Sequence, residues 1–243
     1  MKLKILVVLV WFFISVSLVK AGWLEDLLEV IEPAIPQNTL ETTISGLKEA
    51  LSIGTANAVS HVSQVNGYFN NESIKILMPE NFKMVADMLS QVGYKEQVDS
   101  FIDSMNQAAE KAAPQAKSIF LDAVTQMSFD DAKAILNGGD TAATDYLKEK
   151  TSDKIYDAFK PLIIQSLDEV GGTGYYNAMM KTFTALPFAQ AQALDLNHYV
   201  SSKAMDGLFF MIGEEEKKIR TDPAARVTDL LQKVFTKSNV YRQ

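Results

Sequence analysis

Apolar residues recur along most of this chain at the three-and-four spacing of a helix face turned inward. Ile44, Leu47, Leu51, Gly54, Ala58, Val62 and Val65 share one face of a helix starting near Thr39. Gly54 and Ala58 leave its middle thin enough for another helix to lie close. Pro79-Glu80 opens a second helix, through Val85 and Leu89, which Gly93 closes. From Lys95 to Met127, Val98, Phe101, Met105, Ala109, Ala112, Ala116, Phe120 and Ala123 keep phase on both sides of Pro114, which predicts one helix kinked at the proline. Ser128 with Asp131 reads as a capping arrangement for a short helix to Leu136. Asn137-Gly138-Gly139 stops that helix, and Asp140 or Thr141 caps the next, through Tyr146. Ser152 to Val170, bent at Pro161, and Tyr175 to Leu186 follow, and Asp195 caps a helix from Leu196 onward. Leu208-Phe209-Phe210-Met211-Ile212 is apolar all round, which places that helix with the Pro114 helix at the centre.

One stretch breaks the rhythm. Asn66 to Pro79 is rich in turn residues and alternates Ile74 with Ile76, predicting a loop or a short β-ribbon near 68–77. The pattern otherwise predicts an all-α chain, a single multi-helix domain of about eight to ten helices. Ahead of it, Met1-Lys2-Leu3-Lys4 is a positive start, Ile5 to Val19 is apolar except for two serines, and Val19-Lys20-Ala21 ends in small residues. That is the layout of a signal peptide, residues 1–21, cleaved after Ala21. The apolar run falls short of the roughly 20 residues that span a bilayer, so no transmembrane span is expected after cleavage. Residues 22–38, with Pro33 and Pro36, are expected to form an N-terminal arm, leaving 39–243 as the helical domain.

Composition and charge narrow the address. The chain has no cysteine, hence no disulfide, thiol nucleophile or thiolate metal site. A signal peptide without cysteine suits a bacterial periplasm. Removing Lys2, Lys4 and Lys20 with the signal takes the formal charge from −7 to −10. An acidic body lacks the basic footprint that nucleic acid or an anionic membrane surface requires.

Arginine use singles out one region. Lysine serves nearly everywhere, while the only arginines are Arg220, Arg226 and Arg242. A planar, permanently charged fork differs most from an ammonium where it grips a carboxylate or phosphate. At helical spacing Glu216 falls inside the apolar stripe of Met205, Leu208, Phe209, Ile212 and Ile219, with Arg220 at its edge. The two are i,i+4 in the favourable order. Asp222-Pro223 is a strong helix start, so Arg226 stands in a first turn, where the helix dipole opposes a cation. Glu216, Arg220, Asp222 and Arg226 are therefore read as a clamp between the last two helices, or as a grip on an acidic ligand. Glu110, paired i,i+4 with Asn106 on the flank of the long helix's apolar face, is a candidate acid for the arginines.

Little else carries chemistry. His61 and His198 lie far apart without ligand neighbours, so no metal site is expected, and no cofactor fingerprint occurs. The turns at Gly138-Gly139 and Gly171-Gly172 follow helices rather than strands and lack a P-loop ending. Met179, Met180, Phe183, Leu186 and Phe188 make a soft apolar patch, read as core or as a pocket wall. Carboxylate catalysis would need two of Glu110, Asp131, Asp206 and Glu216 to converge.

Blocks spread over the chain resemble a known family. They are Met105-Asn106-Gln107-Ala108-Ala109-Glu110, Asp131-Ala132-Lys133-Ala134-Ile135-Leu136, Asp206-Gly207-Leu208-Phe209 and Ile219-Arg220 with Asp222-Pro223-Ala224-Ala225-Arg226. From about Leu47 to Phe235 they look like a bacterial envelope family known as domain-of-unknown-function family 4197. The resemblance implies a helical secreted protein with no assigned activity. The expectation is a non-enzymatic binding or interaction protein of the envelope, its partner an envelope protein or a small apolar ligand. A carrier of an amphipathic molecule and a carboxylate/arginine enzyme are the alternatives.

Overall fold

A computed structural model of the chain describes residues 37–185, 195–222, 224 and 228. The expected signal peptide and arm, Leu186 and Phe188, the helix after Pro223, and Arg226 and Arg242 lie outside the described residues. Thr42 onward forms one compact unit, and of the preceding unit only the beginning of a helix is described.

Among the described residues every regular element is helical: α1 (Gln37–Val62), α2 (Glu80–Leu89), α3 (Lys95–Ala112), α4 (Ala116–Gln126), α5 (Phe129–Asn137), α6 (Ala142–Glu169), α7 (Gly172–Thr184) and α8 (Leu196–Thr221). The all-α expectation holds. The count does not: among the described residues there are six helices as uninterrupted stretches, fewer than eight to ten. The reason lies at the joints. Gly93 closes α2 as expected, with φ of 98° and Val92 beside it also outside helical geometry, but the break is a kink within Ser90–Tyr94 and α3 follows without a loop. A 3-10 turn, Ala113–Gln115, carries α3 into α4 with Pro114 near its start, where a missing N–H is tolerated. The predicted passage through the proline is therefore correct. Residues 142–169, expected as two helices, form the single α6, with Thr151 buried and its hydroxyl turned back to the Leu147 carbonyl.

The expected centre needs one addition. Phe120 of α4 meets Phe209 of α8 edge-on, centroids 5.8 Å apart, so the kinked helix and α8 do pack together. Both also lie on α6, which packs against α3, α4, α5, α7 and α8. Gly54 is buried as predicted, and a methyl there would sit 3.4 Å from the Ile219 side chain, so α1 and α8 approach closely. Val65, assigned to the α1 face, lies beyond the helix end and is exposed.

No strand occurs among the described residues, so the ribbon near 68–77 is a loop. The Asn106 side chain replaces the second strand. Its carboxamide accepts from Ile76 N–H and donates to Ile76 C=O, both at 2.9 Å, as a neighbouring strand would. Ile74 and Ile76 are buried by this docking, which accounts for the alternation read from the sequence.

Candidate functional site

The polar cluster near the end of α8 is built on two helix termini. The α5 helix ends and α6 begins across the Gly138-Gly139 turn, leaving orphan carbonyls on one side and orphan N–H groups on the other. Thr141, one of the two residues expected to cap α6, does stand at its N-cap, but its side chain bonds to Asp145 and not to the backbone. Glu216 caps α6 from another helix. Its carboxylate accepts from Ala143 N–H at 3.1 Å, Thr144 N–H at 2.8 Å and the Thr144 hydroxyl at 2.8 Å. Arg220 closes the arrangement, donating to Glu216 at 2.9 and 2.7 Å and to the Ile135 carbonyl of α5 at 3.2 Å. The anion thus sits at a helix N-terminus and the cation at a C-terminus, each favoured by the local dipole. Both side chains are well buried, at 5% and 13% exposure.

A second buried carboxylate works on the loop. Glu110 accepts from the backbone N–H groups of Asn66 and Tyr68 at 3.1 Å and of Phe69 at 3.4 Å. It therefore holds the loop's start and is not the partner of Arg220, which uses Glu216. Burial pushes the Glu110 carboxyl above its ordinary range, outweighing the three N–H donors, and the nearby Asp103 charge adds to the rise. Tyr68 is fully buried, and its hydroxyl donates to the Ala204 carbonyl of α8 at 2.6 Å. Burial, and secondarily the Glu110 charge, raise the Tyr68 phenol well above its usual value.

This docking leaves a groove of about 610 Å³ between residues 73–80 and α8. Its α8 wall is Tyr199, Lys203, Asp206, Gly207 and Phe210, and the loop wall includes Lys75, Leu77, Met78 and Glu80. Gly207 lets the walls meet: a methyl there would lie 2.8 Å from the Tyr68 ring and 3.1 Å from Ile74. The other end is tied by Tyr199, whose hydroxyl donates to Leu77 C=O at 2.9 Å. Leu77 and Phe210 remain exposed, at 55% and 45%. Burial lifts the Tyr199 phenol above its ordinary value, and the Glu80 charge adds to this.

The predicted residues thus separate. Glu216 and Arg220 pair as expected, while Asp206 lines the groove about 15 Å up α8 from Glu216 at a helical rise. Asp222 ends α8 and accepts from Ala224 N–H at 2.9 Å, an Asx turn compatible with the expected restart. Asp131 is committed to the α5 capping box with Ser128. His198 faces the Tyr156 hydroxyl at 2.8 Å, and both are at the surface. Met179 is core and Met180 and Phe183 pack against it, in line with the core reading of the soft patch. Sequence reasoning passed over Tyr68, Lys203 and Phe210; the i,i+4,i+7,i+11 spacing of Tyr199, Lys203, Asp206 and Phe210 was the available signal. Among the described residues no group of three or more His, Asp or Glu side chains could hold a metal ion, and no helix is long and apolar enough to cross a membrane.

Residues 37–236 match the family described as "Protein of unknown function (DUF4197)". No curated protein and no solved structure matches the chain.

Proposed function

The chain belongs to the DUF4197 family, and from that premise we propose that it is a non-enzymatic binding protein of the bacterial envelope, acting in the periplasm after cleavage at Ala21. The observation that carries this reading is the groove between residues 73–80 and α8. Its walls are pinned by Tyr68, Asn106, Glu110 and Tyr199, so it is preformed, and it presents Leu77 and Phe210 to solvent beside the charged Lys203, Asp206 and Glu80. A preformed concave site with a few polar groups is the usual seat of binding. By contrast, Glu110 and Glu216 are consumed in holding backbone, which takes both out of carboxylate catalysis. The alternative carrier reading rests on Arg220 or Arg226 anchoring an acid; Arg220 is already engaged by Glu216 and Ile135, and Arg226 lies outside the described residues.

The test is native mass spectrometry of the protein purified from a bacterial periplasm, before and after solvent extraction, with a Phe210→Ser variant beside it. A chain beginning at Gly22, carrying a molecule that the variant has lost, supports the reading. A retained N-terminus, or a bound molecule indifferent to Phe210, overturns the address or the site respectively.

A further inference from the structure

The groove's two walls differ in kind, and the loop wall is unusual. Ile76 turns both its N–H and C=O to Asn106, while Leu77 turns its carbonyl the other way, to Tyr199 of α8. The stretch therefore has an inner edge satisfied by a side chain and an outer edge directed across the groove. On that outer edge Leu77 N–H has no partner among the described residues, and neither has the Lys75 carbonyl. An N–H and a C=O at the wall of a groove match the alternating groups of an extended peptide, and an alkyl chain offers no such groups.

Charge and shape select the same occupant. On α8, Lys203 and Asp206 make no ion pair or hydrogen bond among the described residues, and Glu80 on the facing wall makes none either. Lys75 lies 3.8 Å over the Phe69 ring. Both signs stand on both walls, which suits a chain with mixed polar side chains and disfavours a fatty acid. The groove is open along its length, since Leu77 and Phe210 keep about half their surface exposed. From Tyr199 to Phe210 it runs about 16 Å at a helical rise, the length of about five extended residues.

We infer that this groove receives an extended segment of a partner polypeptide, lying over residues 73–79 with one apolar side chain against Leu77 at the Tyr199 end, another against Phe210 at the far end, and charged side chains at Lys203 and Asp206 between them. The inference rests on the binding reading above and names its ligand. Main-chain bonds to Leu77 N–H and Lys75 C=O supply affinity, and the α8 side chains supply selectivity. Asn106 is a positioning residue here: it holds Ile76 so that Leu77 faces outward.

Random seven-residue peptides displayed on phage, selected against the full-length protein, test it. The enriched peptides are synthesised with a fluorescent label and titrated by anisotropy against wild type, Phe210→Ser and Lys203→Glu, each variant first shown by circular dichroism to melt as wild type does. The expected result is a shared pattern of two apolar residues on either side of a charged one. Phe210→Ser weakens binding at least tenfold, and Lys203→Glu shifts selection toward basic side chains. No shared pattern, or peptides that bind Phe210→Ser unchanged, overturns the inference. If the peptides fail while a copurifying small molecule is lost from Phe210→Ser, only the peptide assignment falls. If neither peptide nor small molecule depends on Phe210, the binding reading falls with it.

Discussion

At the scale of single residues, two buried glutamates do different work. Glu216 satisfies two backbone N–H groups, one hydroxyl and a guanidinium, so its loss orphans the donors of α6 and strips the Arg220 charge of its carboxylate. Leaving a buried partner charge uncompensated destabilises by about 3 to 5 kcal/mol. Glu216→Ala is therefore expected to lower unfolding free energy by about that amount. Arg220→Lys keeps the charge but loses the fork that reaches Ile135 and should cost only about 1 to 2 kcal/mol. Urea unfolding of the two variants checks the order; equal losses, or none, would remove the clamp. Glu110 makes a prediction in pH. Its folded pKa is raised above the unfolded value, so between the two the folded state binds more protons. Its contribution is full below the unfolded carboxyl value and falls as pH rises through the folded one. Wild type should thus lose stability relative to Glu110→Gln as pH climbs from the unfolded Glu value of about 4.3 upward. A difference that is flat, or that grows with pH, contradicts the assignment.

At the scale of elements, two glycines on α8 with the same local sequence logic should respond oppositely to one methyl group. In a helix interior, Gly→Ala gains about 0.5 to 1 kcal/mol from backbone entropy when space allows. At Gly213 the added carbon would stand 3.8 Å from Thr144, an ordinary contact, so Gly213→Ala should stabilise. At Gly207 it would stand 2.8 Å from the Tyr68 ring, which is fully buried and cannot step aside. Overpacking of that kind costs about 1 to 3 kcal/mol, so Gly207→Ala should destabilise and loosen the groove wall. Thermal melts of the pair decide it, and a stabilised Gly207→Ala would mean that the loop is not seated as described. Local patterning could foresee α5 with its capping box, the passage through Pro114 and the Asp195 cap, because each depends on residues within one or two turns. It could place Glu216 and Arg220 on one edge of α8 for the same reason. It could not foresee that Glu216 caps α6, because the residues it serves, Ala143 and Thr144, are more than seventy positions away. Nor could it see that Asn106 stands in for a strand, so the alternation of Ile74 and Ile76 read as half of a ribbon.

At the scale of the whole molecule, α8 carries the two assemblies at separate places. The groove and the Tyr68 bond lie near Ala204, and the clamp lies at Arg220, about 24 Å further along at a helical rise. Between them α8 rests on α6 and meets Phe120 through Phe209, in packing that neither substitution touches. Effects at sites more than about 7 to 10 Å apart without shared partners add within about 0.5 kcal/mol. Tyr68→Phe removes one buried hydrogen bond, worth about 1 kcal/mol, and leaves a carbonyl that still has its helical partner available. Combined with Arg220→Lys, it should therefore give a loss equal to the sum of the two single losses, measured by urea unfolding of wild type, both singles and the double variant. Additivity would mean that the clamp sets the stability of the body while the groove can be altered independently, as a binding surface on a rigid scaffold requires. A coupling larger than about 1 kcal/mol would instead mean that α8 shifts as a unit, so that occupancy of the groove would be felt at the junction of α5 and α6.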